Sequence, residues 1–218
     1  MNIVFNQANL FFMLDGLKLT LIISVVTILL SLVIGTLLAI VRNYARGPLL
    51  PLAKIVGAYI EFFRCTPNIL WIFFFRFTIP GNVLGKEIFA FTLFTSAVMA
   101  EIIRGGLNGI PKGQFESARS QGFHFPAMMM HIILPQTYKK IIPSTLSQMI
   151  TVIKDTAYLK AVDIAELSRN TDIVMGKAVT AAEIMSLFAF LAAVYFVICF
   201  ILSVTVRAYQ KRVTPQTE

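Results

Sequence analysis

The chain alternates between long apolar runs and short polar interruptions, the pattern of a protein that crosses a membrane several times. A span needs about 20 apolar residues, because the rise of ~1.5 Å per residue must cover a hydrocarbon core of ~30 Å. The predicted spans are residues 17–41, 53–79, 86–104, 138–159 and 184–206. The fourth is unusually polar. We therefore predict an all-α polytopic membrane protein with about five transmembrane helices.

Residues 105–136, GGLNGIPKGQFESARSQGFHFPAMMMHIILPQ, form a long polar interruption between apolar runs. Connections of about 30 residues are usually functional or disordered. Gly113 and Gly122 bracket a helix-compatible segment, Pro126 suits the first turn of a second helix, and Pro135 is placed to end or kink that helix. The pattern predicts a helix–Gly–helix hairpin on the water side of the membrane.

Composition supports the membrane assignment. Hydrophobic residues make up 57% and charged residues 14% of the 218 residues, against about 45–50% and about 25% in soluble domains. The length suits a single transmembrane domain, residues 1–218, that contains the loop at 105–136.

The net charge of +8 is explained by topology. With the amino terminus outside, eleven of the nineteen Lys and Arg residues lie on the inner side and five on the outer side. The positive-inside rule then places the hairpin and the carboxyl terminus in the cytoplasm. The basic excess therefore does not predict nucleic-acid binding.

Templates for catalysis and metal binding are missing from the sequence. There is no G-x-x-x-x-G-K-[ST] loop to cradle a nucleotide phosphate, and His124 and His131 lie seven apart without the H-E-x-x-H arrangement. We predict no catalytic residue, metal site or cofactor in this chain. If ATP drives the protein, another chain binds it.

Charged residues inside the predicted spans indicate a cavity or a partner, since each costs about 2.5–3.5 kcal/mol near the bilayer centre. Glu61 and Arg64 are three residues apart, as are Glu101 and Arg104, so each pair shares a helix face. Pro67 lacks an N–H and loosens the turn before it, which frees carbonyl groups to face a cavity. Cross-linking of helices is the alternative role for these pairs.

Lys154 and Asp155 are adjacent in the polar fourth span. Neighbouring side chains point about 100° apart on a helix, so the two charges do not simply neutralise each other. A zwitterionic substrate requires both a cation and an anion in a low-dielectric pocket. A purely structural role is the alternative.

The hairpin resembles a known signature. Glu116-Ser117-Ala118, Gly122 and Ile132-Ile133-Leu134-Pro135 have the spacing of the E-A-A-x3-G-x9-I-x-L-P loop in the transmembrane subunits of ABC importers, with Ser117 in place of Ala. The flanking residues are similar to polar amino-acid permeases. The ATPase-coupling residues that the resemblance implies are Gln114, Glu116, Ser117, Ala118, Arg119, Gly122 and Pro135.

Two further stretches are similar to the same family. Residues 61–67, EFFRCTP, resemble its E-x-x-R-G-T-P stretch with Cys65 where Gly is common, and Lys154-Asp155-Thr156 resembles its K-D-T-S-L segment, with Ala157 and Tyr158 in place of Ser and Leu. These departures concern the identity of the substrate. The predicted substrate-binding residues are Glu61, Arg64, Thr66, Glu101, Arg104, Lys154, Asp155 and Thr156.

The resemblance implies a type I ABC importer permease in a bacterial cell membrane that carries polar amino acids such as glutamine or glutamate. It implies two ATP-binding subunits that hold ATP and Mg, a second permease subunit, identical or homologous, and an extracytoplasmic substrate-binding protein. Two other classes stay open: an ion-coupled secondary transporter that uses Glu61, Glu101 and Asp155, and a non-transporting scaffold for an ATPase. The ion-coupled transporter leaves the hairpin unexplained, and five spans without an inverted repeat are few for such folds.

Overall fold

The computed structural model describes residues 4–213, so both ends of the predicted domain extend a few residues beyond the described range. Within that range the regular structure is helical. Its α-helices are α1 (Gln7–Tyr44), α2 (Leu50–Arg64), α3 (Asn68–Thr78), α4 (Val83–Asn108), α5 (Lys112–Ser120), α6 (Phe125–Met128), α7 (Leu134–Asp155), α8 (Leu167–Met175) and α9 (Ala181–Val213). A π-helical turn, Met129–Ile133, joins α6 to α7, and a 3₁₀ helix, Thr156–Val162, follows α7.

Helix α4 lies at the centre of the bundle and packs against α1, α2, α3 and α7. The approach of α1 is close, because a Cβ on Gly35 would lie 2.8 Å from the Met99 Cβ and 3.0 Å from the Ala100 nitrogen. Only glycine permits that distance. Helix α9 is different. Of its most apolar 18-residue stretch 6% is buried, against 56% for the corresponding stretch of α4, so most of the surface of α9 faces outward.

Three helices in the described range, α1, α4 and α9, are long and apolar enough to span a membrane on their own. The predicted second span is wrong as one continuous helix, because it is broken into α2 and α3 at residues 65–67. Pro67 lies at that break, where its missing N–H costs no helical hydrogen bond. The fourth predicted span corresponds to α7, which is too polar to qualify by hydropathy alone.

The second arm of the hairpin runs without a stop from Phe125 through the π turn into α7. Pro135 therefore does not end the helix. Proline removes one N–H and crowds the carbonyl four residues earlier, and the widened turn directly before Pro135 accommodates this. The hairpin is in this way continuous with a helix of the bundle.

Candidate functional site

A cluster of five charged side chains joins α1, α2 and α4 at one end of the bundle. Glu101 accepts hydrogen bonds from Arg104, at 3.0 Å from Nε and 2.9 Å from Nη2, which confirms that this predicted pair forms. The Arg42 guanidinium donates to Glu101 at 2.6 Å and to Glu61 at 2.9 Å. Arg42 thereby connects the two pairs that the sequence predicts separately. With Arg64, which lies beside both carboxylates, these residues are called the inner ionic cluster, after the side of the membrane on which the distribution of Lys and Arg predicts them.

Arg64 is the least engaged cation of the inner ionic cluster. Its Nη1 lies 4.0 Å from a Glu61 oxygen and 3.7 Å from a Glu101 oxygen, and its side chain is 38% exposed. Glu101, by contrast, is 15% exposed and has all three guanidinium groups within 4 Å. Three arginines against two glutamates leave one excess positive charge. The cluster is thus suited to receive an additional carboxylate.

The break between α2 and α3 exposes polar groups close to the end of α7. Thr66 donates its hydroxyl to the Phe62 carbonyl at 2.8 Å and accepts a hydrogen bond from Trp71 Nε1 at 2.7 Å. Asn68 donates from Nδ2 to Asp155 Oδ2 at 3.2 Å. Asn68 was not among the predicted site residues; an amide side chain directly after a helix-breaking proline was the signal for it.

The two charges of the Lys154–Asp155 pair face different surroundings. Asp155 is half-buried against Asn68, whereas the Lys154 side chain is exposed. Thr156 is buried and donates its hydroxyl to the Ile153 carbonyl at 2.7 Å. The structure thus brings Asp155 to the helix break, and it does not bring Lys154 to the same place.

The hairpin is fastened to α7 and to the end of α4. Gln136 donates from Nε2 to Gln114 Oε1 at 3.1 Å, and Lys140 Nζ donates to the Gly109 carbonyl at 2.6 Å. Gly122 has φ +79°, a conformation that side-chain-bearing residues rarely adopt. It makes the turn at the end of α5, where the Phe123 N–H donates to the Ala118 carbonyl at 3.1 Å.

Residues of α5 divide between an inner and an outer face. Ala118 is 2% exposed and packs into a core with Ile110, Met128 and Ile133. Glu116, Ser117 and Arg119 are exposed. Ala118 therefore seats α5 on its own chain, and its exposed neighbours present the polar face. The other predicted coupling residues, Gln114, Gly122 and Pro135, are also exposed.

A second cluster, of hydrogen bonds around a single carboxylate, lies between α1, α8 and α9. Glu166 is fully buried and accepts hydrogen bonds from the Arg169 N–H at 2.7 Å, the Ser168 N–H at 2.9 Å, the Tyr195 hydroxyl at 3.3 Å and the Thr20 hydroxyl at 3.4 Å. Burial raises the pKa of the Glu166 carboxyl, and these donors oppose that rise. Its donors are all neutral groups. The cluster caps the first turn of α8.

Comparison with known proteins establishes the class. A family model for the inner membrane component of binding-protein-dependent transport systems matches residues 31–215. The chain belongs to this family, and the predicted resemblance to ABC importer permeases is confirmed.

Individual relatives match over nearly the full length. The probable glutamine ABC transporter permease GlnP of Bacillus subtilis (strain 168) is 33% identical over 96% of this chain and 97% of the relative. The glutamate/aspartate import permease GltK of Escherichia coli O157:H7 is 34% identical over 93% of each chain.

Solved structures agree on the fold. The crystal structure of an amino acid ABC transporter with histidines has a chain that superimposes with a TM-score of 0.79 at 26% identity, covering 92% of this chain and 94% of that one. A chain of the MetNI methionine ABC transporter, inward facing, gives a TM-score of 0.77 at 21% identity over 96% and 99% of the two chains, which supports the fold alone. The fold class is thus the type I ABC importer permease.

Proposed function

We propose that this chain is the membrane-spanning subunit of an ATP-driven importer that moves a polar amino acid of the glutamine or glutamate type across a bacterial inner membrane by alternating access. Two relatives with almost full coverage carry the names of glutamine and of glutamate/aspartate permeases, which supports this substrate class. The amino terminus lies outside and the carboxyl terminus in the cytoplasm, in accordance with the distribution of Lys and Arg.

The complex contains two ATP-binding subunits, a second permease subunit, identical or homologous, and an extracytoplasmic protein that delivers the substrate. ATP and Mg²⁺ are bound by the ATP-binding subunits, and this chain contributes no cofactor site. The outward face of α9, which this chain leaves largely uncovered, is available to lipid and to the second permease subunit.

Helix α5 is the ATPase-coupling element in this proposal. The observation that carries it is the division of α5 into a buried Ala118 and the exposed Glu116, Ser117 and Arg119. A partner that binds the exposed face moves the hairpin, and the hairpin moves α7, with which it is continuous. ATP shifts the equilibrium only if the ATPase contacts differ between the outward- and inward-facing states.

The substrate site lies at the break between α2 and α3. Arg64, the least engaged cation of the inner ionic cluster, binds the substrate carboxylate, and Asp155, held by Asn68, binds the ammonium group. Thr66 lines the break between them. Glu61, Glu101 and Arg104 set the position of Arg64, while Lys154 and Thr156 stay predicted contacts that require a rearrangement around α7.

Uptake by the reconstituted complex tests the site. With the ATPase and binding protein present, Asp155→Asn is expected to weaken the apparent substrate affinity about tenfold, because one charge-assisted contact worth ~1.5–3 kcal/mol is lost. Asp163→Asn is the matched control, since Asp163 is exposed and pairs with Arg169 of α8. Unchanged uptake kinetics in Asp155→Asn contradict the pocket. Uptake that follows an ion gradient without ATP indicates a secondary transporter.

The coupling assignment has its own test. Ala118→Trp is expected to abolish ATP-dependent uptake while ATP hydrolysis continues, because the indole does not fit the core under α5 and displaces the helix. Ala118→Ser keeps the size and is the control. Normal transport in Ala118→Trp contradicts the role of α5.

A further inference from the structure

The last turn of α1 contacts both the hairpin and the inner ionic cluster. Tyr44, the final residue of α1, packs its ring against Phe115 of α5 and Phe125 of α6, with centroid distances of 6.1 and 5.5 Å. Arg42, two residues earlier, bridges Glu101 and Glu61 at 2.6 and 2.9 Å. One helical turn of α1 therefore contacts both regions.

The aromatic contact is a specific attachment of α1 to the hairpin. Helix α4 is joined to α5 covalently through residues 109–111, and α7 is continuous with the second arm. Helix α1 has no such covalent link. Its Ala39 packs in the same core as Met128 of the second arm, and its half-buried Tyr44 ring contacts both arms. Aromatic pairs at these distances stabilise a contact by more than the burial of their apolar area alone. Tyr44 is therefore the aromatic residue of α1 that touches both arms of the hairpin.

The turn after α1 permits a shift of its last residues. Ala45 ends the helix by donating its N–H to the Val41 carbonyl at 3.0 Å, and the chain then turns at Gly47, whose φ is +58° and which has nothing within 4 Å of a Cβ position. The turn is therefore free of close packing at Gly47. On the bundle side, Arg42 adds two ionic contacts to the apolar packing of Ala39 and Val41.

We propose that Tyr44 and Arg42 are positioning residues that transmit movement of the coupling hairpin to the inner ionic cluster, and through it to Arg64. This rests on the proposed function. When the hairpin shifts, the Tyr44 ring carries the last turn of α1 with it. The distances from Arg42 to Glu61 and Glu101 then change. As a result, the carboxylate oxygens that are available to Arg64 change too.

The test uses the whole complex in proteoliposomes, with ATPase subunits and binding protein, and measures substrate taken up per ATP hydrolysed. Tyr44→Ala is expected to lower that ratio about tenfold, within the usual range of coupling between sites, while basal ATP hydrolysis is unchanged. Tyr44→Phe keeps the ring and is expected to match the wild type. Phe77→Ala, which removes an exposed ring stacked on Phe73 near the end of α3, is the matched control.

A double-mutant comparison separates transmission from simple support. Arg42→Lys replaces a guanidinium that bridges two carboxylates with a point charge, and is expected to lower the same ratio. If both residues act in series, Tyr44→Ala with Arg42→Lys is no worse than the more severe single variant. Independent, multiplying losses overturn the proposal, as does a normal ratio in Tyr44→Ala.

Assembly is checked by copurification of all subunits before the ratio is interpreted. Where Tyr44→Ala fails to assemble, Tyr44→Leu keeps the apolar volume without the ring, and a normal ratio in that variant overturns the proposal. A wild-type complex without ATP-dependent uptake refutes the proposed function. Normal wild-type uptake with an unaffected Tyr44 variant refutes only the transmission step.

Discussion

Glu101 and Glu166 both tie α1 to other helices, yet they do so with different chemistry. Glu101 lies in the inner ionic cluster and has three guanidinium groups within 4 Å, from α1, α2 and α4. Glu166 is fully buried and accepts hydrogen bonds from two backbone N–H groups and two hydroxyls, which join α1, α8 and α9. The contacts of Glu101 form an ionic junction. The contacts of Glu166 involve neutral donors, and we call them the outer junction because the predicted topology places Glu166 outside.

The difference has a mechanical consequence. Arginine side chains are long, and Arg64 lies 3.7 Å or more from either carboxylate. The arginines of the ionic junction can therefore exchange carboxylate partners while each carboxylate stays paired. The donors of Glu166 include two backbone N–H groups in the first turn of α8, whose positions are fixed by the helix. We therefore expect the inner ionic cluster to rearrange during transport and the outer junction to move as a unit.

The largest effect is expected from Glu101→Ala. It removes the carboxylate nearest to Arg42, Arg64 and Arg104 and leaves partly buried guanidinium groups without compensation. Breaking such a pair costs about 3 kcal/mol or more. Thermal unfolding of the purified subunit in detergent measures the loss, and uptake by the reconstituted complex should disappear with it.

Asp15→Ala is the control for this variant. Asp15 forms an ion pair with Lys18 at 3.8 Å, but both side chains are more than three-quarters exposed, so little stability should be lost. Equal melting shifts in the two variants would mean that the inner ionic cluster is no more than a surface network.

A smaller effect is expected from Gly16→Ala at the outer junction. A Cβ on Gly16 would lie 2.8 Å from the Glu166 backbone and from Asn170 Nδ2, and backbone atoms do not yield easily. Such overpacking costs about 1–3 kcal/mol. Gly85→Ala is the matched control, because its Cβ position is open and alanine favours a helix. A melting temperature unchanged by Gly16→Ala would show that α8 does not depend on this contact.

The sequence predicts what depends on local spacing. The turn at Gly122 and the pair Glu101–Arg104 follow from residues within one or two turns of each other, and both are observed. Arg42 was not predicted as a site residue, because it is 59 positions away in the sequence from its partner Glu101. Periodicity does not report which helix packs on which.

Local patterns also failed where packing decides between alternatives. The apolar run 53–79 reads as one span, but Pro67 divides it into two helices. Asn68 and Asp155 are 87 positions apart in the sequence, and their contact depends on how α3 packs against the end of α7. In the same way, the burial of Ala118 depends on the core that the hairpin forms with α4 and α7.

The smallest expected effect is the pH dependence of the outer junction. Burial raises the pKa of the Glu166 carboxyl above its ordinary value of 4.5, so the fold favours the protonated form. The stability that this group contributes is therefore fully present below pH 4.5 and is lost as pH rises through the raised pKa of the folded state. Glu166→Gln cannot titrate and should not show this loss.

Thermal unfolding of the wild type and Glu166→Gln across that pH window measures the difference directly, since all other titrating groups are common to both. The melting temperature of the wild type should fall relative to that of Glu166→Gln as pH rises. The difference between the two melting temperatures should become constant above the pKa of Glu166 in the folded state. Because Gln keeps one acceptor oxygen for the N–H groups of Ser168 and Arg169, the cap of α8 is weakened and not removed. A wild-type curve parallel to that of Glu166→Gln would mean that Glu166 titrates as if exposed, and the distinction between the two junctions would then be wrong.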